Sequence, residues 1–118
     1  MTTVLDKAPF GFAYLKIILG ENNEPIDYSF IEVNKLFEKI TGFESEDIIG
    51  KHLSELTSMA NSLDLDWNAV YKPSNYKDDN NGFEWYSKLL KRWYNIEVYS
   101  PEEGYLSTVY TDISSRIP

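Results

Sequence analysis

The sequence contains no cysteine. Disulfides, thiolate metal sites, cysteine nucleophiles and cysteinyl-flavin photochemistry are therefore excluded. It has a single histidine, His52, so a multi-histidine zinc site is excluded too. No apolar run approaches the ~18 residues that a membrane-crossing helix needs. Basic residues are scarce: 11 Lys and Arg stand against 19 Asp and Glu, a net charge of −8. Phosphate-binding surfaces need clustered Lys and Arg. The one dense basic stretch, 88–92, is interrupted by Leu89 and Leu90. Neither nucleic acid nor an anionic membrane surface is an expected partner. The N-terminus shows no basic leader and no cleavage site, so a cytoplasmic location without direct membrane insertion is expected.

What is present suits one small core. The chain has 118 residues, of which 42% are hydrophobic and 25% charged. That is the size and balance of a single globular domain. Aromatic residues reach 15%, with nine Tyr, six Phe and three Trp. Such a supply of rings can build a deep core, line a cavity or cover an interface.

Residues 1–8 read as a lead-in, broken by Pro9 and Gly11. Runs 12–19 and 27–33 are rich in β-branched and aromatic residues. The turn cluster 20–25 joins them, which predicts a hairpin. A helical period begins after Asn34, with Leu36, Phe37 and Ile40 on one face. Asn34 is a good N-cap, and Gly42 stands where a C-terminal glycine stops a helix. Ser45 and its acidic neighbours start a second short turn that ends at Gly50. Leu53 and Leu56 suggest a third. Residues 62–71 are expected to form a helix carrying Leu63, Trp67 and Val70, ended by Pro73. After the polar loop 77–82, three more strands are expected at 83–90, 92–100 and 105–113. The last two are joined by a turn at 101–104. The order is β-β, short helices, β-β-β. It implies an α+β fold, an antiparallel sheet covered on one face by helices.

Several motifs in this order resemble the PAS family. Phe30-Ile-Glu-Val-Asn34-Lys-Leu-Phe37-Glu-Lys-Ile-Thr41-Gly42-Phe43 is similar to the segment that enters and ends the first PAS helix. Ser45-Glu-Asp-Ile-Ile-Gly50-Lys51 resembles the acidic turn that follows it. Tyr86-Ser-Lys-Leu-Leu-Lys-Arg-Trp93-Tyr94 resembles a hairpin found in PAS domains of bacterial sensor kinases and cyclic-dinucleotide regulators. Asp112-Ile113-Ser114-Ser115-Arg116 resembles the Asp-Ile-Thr-x-Arg exit motif, with Ser114 in the place of Thr. The resemblance covers about residues 9–116. It implies a five-stranded antiparallel PAS sheet, a domain over 9–113 after a lead-in at 1–8, and a linker starting at 114–118 toward an output domain.

The resemblance also implies function. PAS ligands lie between the sheet and the helices. In the strand after Arg92, the set Tyr94, Ile96 and Val98 is more apolar than Trp93, Asn95, Glu97 and Tyr99, and should face inward. In the last strand, alternation leaves Leu106/Thr108/Tyr110 and Tyr105/Ser107/Val109 equally open; the family comparison favours Thr108 and Tyr110 inward. The same comparison turns Glu84 and Tyr86 inward and Phe83 and Trp85 outward. Trp67 is a further pocket candidate. Asp112, Ser114 and Arg116 are expected at the signal-transmission point. Asp112 and Arg116 are four residues apart and can pair if a helix starts near Ile113. In the first strand, Ala13, Leu15, Ile17 and Leu19 are expected in the core. Phe12, Tyr14 and Ile18 then face outward and join Trp93 and Tyr99 in an apolar outer patch. A homodimer contact, or coverage by residues 1–8, is expected there.

These residues point to a sensory or regulatory module in signal transduction. It would bind a small ligand or a partner and pass the state to an output such as a histidine kinase or a GGDEF-type diguanylate cyclase. His52 lies too early in the chain to match the axial ligand of haem-binding PAS domains, so haem is not expected. A ligand-free docking or homodimerisation module is the second expectation. A small α+β enzyme is the third, disfavoured because no Ser/His/Asp set or metal cluster is recognisable. The pairs Glu102/Glu103 and Asp78/Asp79 are expected to be solvated turn residues.

Overall fold

The computed structural model describes residues 4–57, 70–71 and 82–116. Its strands are β1 (Phe10–Leu19), β2 (Pro25–Val33), β3 (Phe83–Ser87), β4 (Arg92–Tyr99) and β5 (Tyr105–Asp112). Among the described residues, three short helices lie between β2 and β3: α1 (Lys35–Thr41), α2 (Ser45–Ile48) and α3 (Leu53–Thr57). The strands form one antiparallel sheet in the order β2-β1-β5-β4-β3. The α+β class and the five-stranded antiparallel sheet expected from sequence are therefore present. No described helix is long and apolar enough to cross a membrane.

Alternation along the strands sets the core. Ala13 and Leu15 of β1, Tyr28 and Phe30 of β2, Tyr94, Ile96 and Val98 of β4, and Leu106, Thr108 and Tyr110 of β5 are all buried. Phe37, Ile40, Ile48, Leu53 and Leu56 close over them from the helices. Helix α1 comes so close to β1 that Gly11 has no room for a side chain. A Cβ there would lie 2.9 Å from Ile40 Cδ1 and 3.1 Å from Tyr110 Cβ.

Asn34 fastens α1 to the sheet. Its Oδ1 accepts from the N–H of Phe37 (3.0 Å), as an N-cap does, and also from the N–H of Phe12 (2.9 Å). Its Nδ2 donates to the carbonyl of Phe10 (2.8 Å). One buried side chain thus serves a helix end and a strand together. At the other end Gly42 adopts φ 81°, the left-handed conformation that closes the helix through its N–H to Glu38 O. The free edge of β2 is partly covered: Phe30 N–H donates to Lys51 O (3.0 Å) and Gly50 N–H to Phe30 O (2.8 Å).

Two expectations need correction, and a third falls outside the described residues. Leu19 is 52% exposed rather than core, because β1 runs past its last pair with β5, at Lys16, and a register shift follows Ile18. The strand expected over 83–90 ends at Ser87. Residues 88–91 turn there, with Lys91 N–H on Ser87 O (2.7 Å), Leu90 N–H on Ser87 Oγ (3.2 Å) and Lys91 at φ 57°. Leu89, at the tip of that turn, is 59% exposed. The helix expected over 62–71 lies outside the described residues, apart from Val70 and Tyr71, both buried.

Candidate functional site

The inner face of the sheet is mostly hydrocarbon, interrupted by a small group of hydroxyls. Tyr71 lies over it, with its hydroxyl 2.7 Å from Thr108 Oγ1. The hydroxyl of Tyr28 donates to the Tyr71 carbonyl at 2.7 Å, and the two rings lie 5.3 Å apart. Tyr110 is fully buried with its ring edge-on to Phe37, centroids 5.6 Å apart. Its hydroxyl is the one buried side-chain polar atom without a hydrogen-bond partner among the described residues. Such a group loses its hydration for nothing in return, at about 1–3 kcal/mol. Burial raises both the Tyr71 and Tyr110 hydroxyls well above the ordinary tyrosine pKa, so both stay protonated.

Tyr94, Ile96, Thr108 and Tyr110 thus face inward. Glu84 and Tyr86 do not. Trp85 sits opposite Tyr94 in the register, their rings 6.4 Å apart, and both are buried. Glu84 opposite Asn95 and Tyr86 opposite Trp93 take the outer face, where Glu84 is exposed and Tyr86 is 39% exposed. The physical reason is desolvation: the strand must bury either an indole or a carboxylate, and the carboxylate is the costlier. Trp67 lies outside the described residues.

β5 carries the inner face straight into the exit turn. Asp112, two residues beyond Tyr110, forms an ion pair with Arg92 on the neighbouring strand. Its other oxygen accepts from Ser114 N–H at 2.9 Å. Partial burial acts to raise the Asp112 carboxyl, but the Ser114 and Arg92 contacts outweigh it and hold the group below its ordinary value. Ser114 Oγ accepts from Trp93 N–H (2.9 Å), and Ile113 N–H donates to Trp93 O (2.9 Å). Both backbone groups of Trp93 are thus spent on the exit turn. The expected partner of Asp112 was Arg116, whose side chain lies outside the described residues. The partner shown is Arg92. Finding it from sequence would have required the β4–β5 register.

The outer face carries an aromatic ladder. Phe12 and Tyr14 stack with centroids 6.5 Å apart and planes at 10°; Tyr14 and Tyr105 stack at 5.4 Å and 5°. Trp93 packs against Tyr86 at 5.4 Å. Ile18 is half-buried and Tyr99 exposed. Glu102 is no freely solvated turn residue: it accepts from the Tyr14 hydroxyl at 2.5 Å and pushes that hydroxyl's pKa up to about 12. The described lead-in residues Val4–Lys7 lie near α1, where the Asp6 carboxylate accepts from Lys35 N–H (3.2 Å). They therefore sit on the helical side rather than across this face.

His52 is exposed at the β2 edge, its Nδ1 3.4 Å from Asp27 Oδ2. No group of three or more His, Asp or Glu among the described residues is arranged to hold a metal ion. No protein-family model matches the chain, and no curated protein matches it.

Proposed function

We propose that this chain is a PAS-type sensory or regulatory domain that passes the state of its inner face to an output domain. The observation that carries the reading is the continuity of β5. Thr108 and Tyr110 line the hydroxyl group on the inner face, and Asp112 next inward along the same strand anchors the exit turn through Arg92. A change around Tyr110 moves the backbone that holds that turn. Support comes from the 2-1-5-4-3 sheet, the Asn34 cap, the Gly42 stop and the short helices on one face. The ligand would be a small molecule held against the tyrosines, and its binding would shift the population between two arrangements of the exit.

The test has two parts. Native mass spectrometry of the protein as purified reports whether a small molecule travels with it. In the parent protein, Asp112→Ala should leave the domain folded and uncouple the output. An output response identical to the unmodified protein would sink the reading.

One observation favours a second reading, a ligand-free docking module. Tyr71 already fills part of the inner face and hydrogen-bonds Thr108. A protein that carries no small molecule, with normal output in a Tyr110→Phe variant, would support that alternative.

A further inference from the structure

The outer face combines two features. Its floor is aromatic and its borders are acidic. In the sheet register Tyr14 and Tyr99 flank Ser107, and Phe12 and Glu97 flank Val109. Glu32 pairs with Tyr14 from the β2 side, while the 101–104 turn brings Glu102 over the Tyr14 hydroxyl. Between Glu32 and Pro101–Glu102 runs a groove of about 490 Å³, floored by Phe12, Tyr14 and Ser107. A small serine between two tyrosines leaves this trough open.

The charge here is mostly negative; Lys16, opposite Tyr105, is the one basic strand residue on this face. The five strands contain only two basic residues, Lys16 and Arg92, and Arg92 is occupied by Asp112. The carboxylates are held in place as well: Glu102 by Tyr14 and Glu97 by the Tyr99 hydroxyl at 2.6 Å. Holding them beforehand lowers the ordering cost when a cation arrives. Aromatic faces and fixed carboxylates both attract guanidinium and ammonium groups. A second copy of the chain meets the opposite situation. Pairing this face with itself brings two mostly acidic surfaces together, within a chain of net charge −8.

We infer that the outer sheet face docks a cationic amphipathic segment of a partner protein, its apolar side chains on the Phe12–Tyr14–Tyr105 ladder and its Arg or Lys side chains on Glu32, Glu97 and Glu102. This surface operates whether or not the inner face takes a ligand.

The probe is a short synthetic peptide with leucines and arginines at helical spacing. Its control is an isomer of the same composition, scrambled so that no apolar face forms. Binding is read by calorimetry against three proteins: the unmodified chain, a Glu32→Gln/Glu97→Gln/Glu102→Gln variant, and a Glu44→Gln/Glu46→Gln/Asp47→Asn variant. The two variants lose the same formal charge, the second on the helical side. The expected result is binding of the amphipathic peptide that weakens about ten-fold in the first variant, changes less than about two-fold in the second, and falls with added salt. Equal weakening in both variants means general charge attraction and overturns the inference. So does equal binding of the scrambled isomer, or no binding at all. Sedimentation of the unmodified chain alone adds a further check: a dimer that the first variant strengthens, and the peptide fails to dissociate, assigns the face to a second copy and overturns the inference. Thermal melts of both variants, expected to match the unmodified chain, show that the fold is intact.

Discussion

Asp112 is bound to Arg92, 20 residues earlier in sequence and on the adjoining strand, so the exit from the sheet is held by the strand beside it. The pair is solvent-exposed, and exposed pairs contribute only ~0–1 kcal/mol. Its effect is on the position of the turn more than on stability. Asp112→Asn should therefore cost less than about 1 kcal/mol in urea unfolding at neutral pH.

The same carboxyl gives a pH signature. Asp112 and Asp27 are both held below their ordinary value of 3.8, Asp27 because Ser54, the Tyr28 N–H and His52 outweigh its partial burial. A carboxyl with a lowered folded-state pKa adds stability above its unfolded pKa and loses it as pH falls through the folded one. Stability should therefore decline below about pH 4. The gap between the unmodified protein and Asp112→Asn should close over that range. Unfolding curves at pH 7, 4 and 3 check this; a gap that widens on acidification contradicts it.

Asn34→Ala should be among the most damaging single changes outside the hydrocarbon core. It removes a helix cap, worth about 0.5–2 kcal/mol, and leaves Phe12 N–H and Phe10 O without their partner. Leaving these part-buried backbone groups unsatisfied adds up to about 1–3 kcal/mol. A loss of about 2–4 kcal/mol in chemical denaturation is expected. Asn34→Asp keeps the acceptor and loses the donor, and should fall between.

Gly11→Ala tests how tightly α1 lies on β1. The new methyl meets Ile40 Cδ1 at 2.9 Å, and overpacking of this kind costs about 1–3 kcal/mol. Ile40→Val removes that Cδ1. The double variant should recover part of the loss, so the two effects should be non-additive in thermal unfolding.

Tyr110→Phe and Tyr71→Phe should differ in sign. Removing the unpartnered Tyr110 hydroxyl relieves a desolvation cost and should raise stability of the ligand-free protein by up to about 1 kcal/mol. Removing the Tyr71 hydroxyl strands Thr108 Oγ1 and should lower stability by about 1 kcal/mol or more. Parallel melts decide it, and losses of equal size in both variants would mean that Tyr110 has a partner.

The strands, the first helix and both of its ends were legible because their signals are local. Alternating hydrophobicity, Asn34 ahead of an apolar helical period and Gly42 after it need no knowledge of the rest of the chain. Inward parity in β4 was legible as well, because Tyr94, Ile96 and Val98 are plainly more apolar than their neighbours. In β3 the family comparison pointed to Glu84, while the cost of burying a carboxylate decided for Trp85. The Arg92–Asp112 pair was hidden because it depends on register, which the length of the 101–104 turn alone does not reveal. Leu19 misled for a related reason: a strand can outrun its neighbour, and its last residues then have nothing to pack on.

The first strand lies between the second and the fifth, so the middle of the sheet is completed by the last of its five strands to be made. Until β5 emerges, β1 offers an unpaired edge with Ala13 and Leu15 uncovered on their β5 side. Contacts that span the length of a chain form slowly, and open strand edges invite association with other nascent chains. The docking of β5 therefore closes that edge and, through the Arg92–Asp112 pair, sets the turn that follows it.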